Sequence, residues 1–331
     1  MGLLTGVSLL LISRADSLWQ LLVCYGLFLA VGTGGTYIVL LTAVSRWFDR
    51  RRGFALGITG SGAAAGTVVV IPFIAYLIAA FDWRTAMVVL AAGTAVIVMA
   101  VALLLRGSPV EMGTVVDGVT AGSDSPQFES KFGNRAELTL LQALKTGKFW
   151  QIWTIWLLTS VCINLILAHI VPHAIDAGVS AVEAATILSL TGIFNIIFRV
   201  IAGRVSDTVG RRIPGVAGAL LLGGAMLWLI WAQHLPGFYI FAVAFGMSWG
   251  ALGVINNYLA IDSFGGPNLG IILGAIDVGF AMGAAIGPAL GGLLFDVTGA
   301  YSAAFSVGAA AMLLTIGLII LTTRKIQLKV K

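Results

Sequence analysis

Arg199 is the residue of this chain whose setting most directly indicates chemistry. It interrupts the apolar run "NIIFRVIAG", whereas Arg211 and Arg212 stand among polar neighbours. A guanidinium among apolar side chains is costly unless it faces a cavity or a partner, and its planar fork matches a carboxylate. The alternative is snorkelling, because Arg204 is only about 7.5 Å further along a helix, which brings a polar interface within reach.

Three further polar residues are candidates to share a binding site with Arg199. Asn195 precedes it by one helical turn and therefore lies on the same helix face. Asn256 and Tyr258, with Asn257 between them, stand late in another apolar run. These groups either line a polar pathway or hold helices together by hydrogen bonds.

Asp277 and His169 are candidates to carry a proton. Asp277 lies deep in "LGAIDVGFAMG", far from any lysine. It would carry a proton or pair with Arg199, and a neutral, hydrogen-bonded structural aspartate is the alternative. His169 and His173 are four residues apart, which suits a metal or a proton relay, but Pro172 is predicted to break the helix between them.

The elements that must position these residues are transmembrane helices. The chain of 331 residues is 59% hydrophobic and 10% charged, whereas a soluble domain carries roughly a quarter charged residues. Apolar runs of about 20 residues, long enough to cross a bilayer, recur along it, so we predict an all-α, multi-pass membrane protein. Ten spans are predicted, near residues 1–13, 20–43, 54–80, 85–105, 149–171, 184–203, 214–232, 237–260, 270–293 and 301–322.

Lysine and arginine are distributed unequally between alternate loops. Only Arg14 and Arg84 fall on the side opposite to residue 1, which predicts that both termini are cytoplasmic. Residues 106–148 are polar and rich in glycine and serine, and they predict a cytoplasmic linker. The linker would separate an N-terminal bundle of four spans, 1–105, from a C-terminal bundle of six, 149–331.

The chain contains an internal repeat. Four glycines recur in the same order and spacing at one constant offset: Gly53, Gly57, Gly62 and Gly66 match Gly270, Gly274, Gly279 and Gly283. Both copies begin on the cytoplasmic side, which predicts parallel repeats with a transport site between the halves. Because the second half has six spans, its partner would begin about 70 residues before Met1, and we expect two spans to be missing.

The loop "GRVSDTVGRR" resembles the signature G-x-x-x-D-x-x-G-R-R of the major facilitator superfamily. The stretches "SRWFDRRRGFALGITGSG", "SPVEMGTVVDG", "HIVPHAIDAG" and "GPALGGLLFDVTGAYSAAF" resemble the branch of monocarboxylate transporters and oxalate–formate antiporters, in its bacterial form. The resemblance implies a major facilitator-type helical bundle of two pseudo-symmetric halves, with about ten of an expected twelve transmembrane helices present.

The resemblance also implies roles for individual residues. Arg199 matches an arginine that contacts the substrate carboxylate, Asn195 stands where some relatives carry an acid, and Asp277 stands where the oxalate branch bears a base. A conformational latch is implied for the loop, in which the aspartate faces the positive end of the helix that starts near Gly53. The alternative is that these charges only set topology. The latch residues are Gly203, Asp207, Gly210, Arg211 and Arg212.

The function expected from the resemblance is secondary active transport of a small organic anion, in the first place a monocarboxylate. Transport would proceed by alternating access, as proton symport or anion exchange, across the inner (plasma) membrane. The alternative is a truncated fragment that does not transport. Expected partners are the anion, the lipid bilayer and protons.

An enzyme is not expected, since the sequence offers no convincing nucleophile or metal cluster. No cofactor, metal, nucleic acid or nucleotide is predicted either. The glycine-rich stretches "GTGGTY" and "GSGAAAG" lie inside apolar helices with no preceding strand, so they do not indicate a phosphate loop.

Overall fold

The computed structural model describes residues 2–48, 51–104, 138–266 and 268–327, and in these residues the protein is built from α-helices. The helices are α1 (Gly2–Ser13), α2 (Leu18–Trp47, including a π-helical segment Cys24–Leu29), α3 (Arg52–Ala80), α4 (Trp83–Leu104), α5 (Leu140–Leu144), α6 (Gly147–Asp176), α7 (Ala181–Val209), α8 (Arg212–Leu229), α9 (Leu235–Phe264), α10 (Leu269–Thr298) and α11 (Ser302–Gln327).

The helices lie where the spans are predicted. Within the described residues, eight of them are long and apolar enough to cross a membrane. The 12-residue α1 is a shorter apolar helix, and α3 has 29 residues. The prediction of an all-α, multi-pass protein with about ten membrane helices is therefore confirmed.

The repeat is visible in the helix bounds. Helix α3 begins at Arg52 and α10 at Leu269, which are separated by the same offset as Gly53 and Gly270. The preceding helices, α2 and α9, end at Trp47 and Phe264, again at that offset. The two copies therefore share one helical register in this part of the chain.

The chain divides into two units. The first contains α1, α2, the part of α3 from Gly66 onward, and α4; the second contains the beginning of α3 and the helices from α5 onward. The boundaries predicted at 105 and 148 stay a prediction, and most of the predicted linker lies outside the described residues.

In the first unit, small residues bring α1 against α4. A Cβ placed on Gly6 would lie 3.3 Å from the carbonyl oxygen of Ala91. Before α4 begins, Oδ1 of Asp82 accepts a hydrogen bond from the Thr85 amide at 2.8 Å. This bond lowers the pKa of Asp82 below its ordinary value, because it favours the ionised carboxylate.

In the second unit, glycine ridges bring pairs of helices together. Gly279, Gly283, Gly287 and Gly291 of α10 are buried against α6, and a Cβ on Gly283 would lie 2.5 Å from the Leu157 carbonyl oxygen. Helix α9 approaches α7 in the same way: a Cβ on Gly250 would lie 2.5 Å from the Asn195 carbonyl oxygen. Only hydrogen at these positions permits such close backbone contact.

Helix α6 continues through Pro172 to Asp176, so the predicted break between the two histidines is wrong. Proline removes one backbone donor and crowds the preceding turn. Here only the last turn of the helix follows it, and helices of membrane proteins tolerate such a proline.

Candidate functional site

Helix α7 carries the central candidate residues on one buried face. A capping box starts the helix: the Ser180 hydroxyl accepts from the Glu183 amide, and the Glu183 carboxylate accepts from the Ser180 amide. The buried face contains Thr191, Asn195, Arg199, Gly203 and Ser206, spaced three to four residues apart. The face therefore presents an arginine and an amide to the helices that pack on α7.

Arg199 is 9% exposed, and its Nη1 donates a hydrogen bond to the carbonyl oxygen of Gly60 in α3. A Cβ on Gly60 would lie 2.9 Å from that nitrogen, and Gly253 of α9 lies against the other side of the guanidinium. Two glycines thus make room for the charged group. Because Gly60 is eight residues into α3, the guanidinium lies about 12 Å from the start of that helix.

Two buried amides accompany Arg199. Asn195 is 1% exposed and Asn256 is 6% exposed. Within the described part of the chain, Nδ2 of Asn195 and Oδ1 of Asn256 have no hydrogen-bond partner. A buried polar atom without a partner is unfavourable, so a donor remains available on Asn195, one helical turn from Arg199, and an acceptor on Asn256, one turn from Gly253.

Asp207, at the other end of α7, is fully engaged. Its Oδ1 accepts from the Gly53 amide at 3.0 Å and its Oδ2 accepts from the Phe54 amide at 3.1 Å. Tyr258 of α9 donates its hydroxyl to Oδ1 at 2.5 Å. The first amides of α3 have no partner within their own helix, and the helix dipole favours a negative charge there.

A second carboxylate, Asp262, extends this arrangement. Its Oδ2 accepts from Nε of Arg211 at 2.9 Å, and its Oδ1 lies 3.6 Å from Nη1 of Arg52. The Arg211 guanidinium also stacks on the Tyr258 ring at 4.0 Å. We refer to Arg52, Asp207, Arg211, Tyr258 and Asp262 as the Asp207 cluster.

The glycines of the loop signature have separate geometric roles. Gly203 of α7 touches the backbone of Gly53 in α3, which brings Asp207 to the start of that helix. Gly210 ends α7 with a φ of +81°, a conformation that favours glycine. Arg212 begins α8 and takes part in no ion pair among the described residues.

The structure does not bring Tyr258 to Arg199. Its ring is buried in the Asp207 cluster, nearer the end of α9. The two histidines also point to different helices: Nε2 of His169 contacts the Pro288 carbonyl oxygen at 2.9 Å, and Nε2 of His173 contacts the Leu229 carbonyl oxygen at 3.2 Å. Among the described residues, no group of three or more His, Cys, Asp or Glu side chains suits a metal.

Asp277 is half-buried on α10. Within the described residues it forms no ion pair or hydrogen bond, so the pairing with Arg199 considered above is not present in this conformation.

Four residues of these sites escaped sequence reasoning. Gly60 and Gly253 act by the absence of a side chain, and the sequence does not show which of the many glycines lie against Arg199. For Arg52 the sequence indicates only a charge that sets topology. The signal for Asp262 is its position one helical turn after Tyr258, a spacing that places both residues on one face.

Comparison with known proteins agrees with this geometry. The family model of the Major Facilitator Superfamily matches residues 1–277 and again 198–331. The chain therefore belongs to this superfamily, whose members are membrane transporters and not enzymes.

Within the superfamily, the chain is similar to monocarboxylate transporters. It is 30% identical to monocarboxylate transporter 13 of Bos taurus over 325 residues, which covers 96% of this chain and 71% of that protein. It is 26% identical to monocarboxylate transporter 12 of Rattus norvegicus over 330 residues, covering 94% and 68%.

Solved structures share the fold. The human organic anion transporter MFSD10 (TETRAN) superposes with a TM-score of 0.70 at 16% identity, covering 96% of this chain and 75% of that one. The transporter FucP, in its outward conformation, superposes with a TM-score of 0.67 at 14% identity, covering 97% and 82%. At these identities the likeness concerns the fold alone.

Proposed function

We propose that the protein transports a small organic anion, in the first place a monocarboxylate, with Arg199 as the group that binds the carboxylate. The observation that carries the proposal is the buried guanidinium between Gly60 and Gly253. A permanent cation at this depth is expected to bind an anion, and a carboxylate matches its fork. The similarity to monocarboxylate transporters supports the same substrate class.

Asn195 and Asn256 complete the proposed site. Each has a buried polar atom without a partner in the described residues, one a donor and one an acceptor. A carboxylate accepts from Asn195, and a hydroxyl or similar donor on the substrate would satisfy Asn256. These contacts would orient the anion that Arg199 attracts.

The Asp207 cluster is proposed as the latch for alternating access. It ties the start of α3 to α7 and α9 through a carboxylate and two amides, and these bonds must open when α3 moves away from α7. The cluster would therefore bias the two access states without contributing to the binding site.

We further propose a multi-pass protein of the inner (plasma) membrane, with both termini cytoplasmic, as the distribution of lysine and arginine indicates. The driving force would be proton symport or anion exchange. Uptake by vesicles that carry either a proton gradient or internal substrate, but not both, distinguishes these two modes. Asp277 and His169 are the proton candidates in the first mode.

The test of the binding site is uptake of radiolabelled monocarboxylates by proteoliposomes. Arg199→Lys should abolish saturable uptake with expression intact, because an ammonium is a point charge and cannot offer two parallel donors. Arg204→Lys is the matched control, since Arg204 is exposed on the same helix, and it should transport normally. Undiminished uptake by Arg199→Lys would refute the assignment.

A further inference from the structure

Asp277 occupies the repeat-equivalent position of Gly60. The two helices begin at equivalent positions of the repeat, Arg52 and Leu269. Gly60 and Asp277 each lie eight residues after the start of their helix. In the first copy this position faces Arg199: a Cβ there would lie 2.9 Å from its Nη1. The second copy therefore carries a carboxylate side chain at the position equivalent to that of Gly60, whose carbonyl accepts from Arg199 in the first copy.

Arg199 and Asp277 lie at similar distances from the ends of their helices. Asp277 is about 12 Å from the start of α10, as Gly60 is from the start of α3. Arg199 is ten residues, about 15 Å, from the corresponding end of α7. Helix α9 packs against both α7 and α10, so the helices that carry Arg199 and Asp277 share one neighbouring helix.

The side chain of Asp277 does not point into the contact between α10 and α6. Gly279, two residues further on, faces α6, where a Cβ would lie 3.0 Å from the Trp153 carbonyl oxygen. Two residues correspond to about 200° around a helix, so Asp277 lies on the opposite face. It is half-buried there, with no partner among the described residues.

From this placement we infer that Asp277 binds the cationic end of a substrate that carries both a carboxylate and a positive charge, such as an amino acid or another ammonium carboxylate. The inference rests on the proposed function, because it needs a carboxylate held by Arg199. The site then holds one fixed positive and one fixed negative charge, and a zwitterion neutralises both at once. A metal ion is a weaker candidate, since Asp277 belongs to no cluster of ligating side chains in the described residues.

The experiment measures saturable uptake of size-matched pairs by proteoliposomes containing the whole protein. The pairs are alanine and 2-hydroxypropionate, β-alanine and 3-hydroxypropionate, and 4-aminobutyrate and 4-hydroxybutyrate. In at least one pair the wild type should prefer the amino compound by tenfold or more. Asp277→Asn should lose that preference through weaker uptake of the amino compound, while uptake of the hydroxy acid is kept or raised.

Asp296→Asn is the matched control, because Asp296 is exposed near the other end of α10; it should leave every ratio unchanged. Expression and elution of each variant as a single species establish that it is folded. Arg199→Lys tests the proposed carboxylate site separately from the role of Asp277: it should abolish uptake of both members of a pair.

Three results would overturn the inference. One is a wild type that prefers hydroxy acids. Another is an Asp277→Asn variant with unchanged ratios, including one that loses only the dependence on a proton gradient, which would make Asp277 a proton carrier. The third is an Arg199→Lys variant that takes up both members of every pair as the wild type does, and that result would also refute the proposed function.

Discussion

Helix α7 carries two polar sites that differ in how completely their groups are paired. At Asp207, two backbone amides and a tyrosine hydroxyl satisfy one carboxylate, and a second carboxylate joins two arginines nearby. Around Arg199, a backbone carbonyl accepts from the guanidinium, but two neighbouring amide groups have no partner in the described residues. A complete network holds one conformation, whereas an incomplete one beside a buried charge favours binding of a ligand.

Removing the Asp207 carboxylate should have the largest effect on the difference between the fully paired Asp207 site and the Arg199 site. Asp207→Ala removes the acceptor of three hydrogen bonds, and we expect it to weaken the contact between α3 and α7 by about 3 kcal/mol. Spin labels on Arg51 and Thr208, in a protein whose cysteines are replaced by serine, would report the separation of the helix ends. The label distances should broaden or lengthen, and an unchanged distribution would contradict the latch.

Tyr258→Phe should have a smaller effect at the same place. It deletes one hydrogen bond to a charged acceptor but keeps the ring under Arg211, so we expect a loss of about 1.5–2 kcal/mol. The same label pair should show an intermediate shift. Tyr239→Phe is the control, since the Tyr239 hydroxyl forms a hydrogen bond with Thr186 at an exposed position, away from the Asp207 cluster. An effect on substrate affinity alone would instead place Tyr258 in the binding site, as the sequence prediction had it.

Gly60→Ala should affect the Arg199 site with the smallest change in structure. The added methyl would lie 2.9 Å from Nη1, so the end of a flexible side chain must shift. We expect the KM for the anion to rise about tenfold, equivalent to about 1.4 kcal/mol, with normal expression. Gly62→Ala is the control, because a Cβ there has no atom of the described residues within 4 Å. Equal KM values for both variants would show that the guanidinium position does not set affinity.

The helices were predictable from sequence because their cause is local. A bilayer requires about 20 apolar residues per span, and such runs can be recognised without knowing any neighbour. The contact of Asp207 with the start of α3 was also expected, since the loop signature is specific and a helix start has free amides wherever it lies.

The partners of Tyr258 and Arg199 were not predictable in this way. Tyr258 was expected beside Arg199 because both are polar groups in apolar runs, but its hydroxyl reaches Asp207 on another helix. Gly60 and Gly253 contribute space, and Gly60 also contributes a backbone carbonyl oxygen. Every residue type has such a carbonyl, so the residue type alone does not reveal this role.

By itself, the sequence determined that the protein is helical, spans a membrane, contains an internal repeat and places an arginine within an apolar run, since hydrophobicity, register and charge are properties of single segments. Only the tertiary structure decided which backbone carbonyl meets Arg199, which side chains complete the Asp207 cluster, and that Asp277 lies on the face of α10 turned away from α6. Those facts depend on how closely helices distant in sequence approach one another, and the approach is set by glycines whose effect appears only in the packed protein.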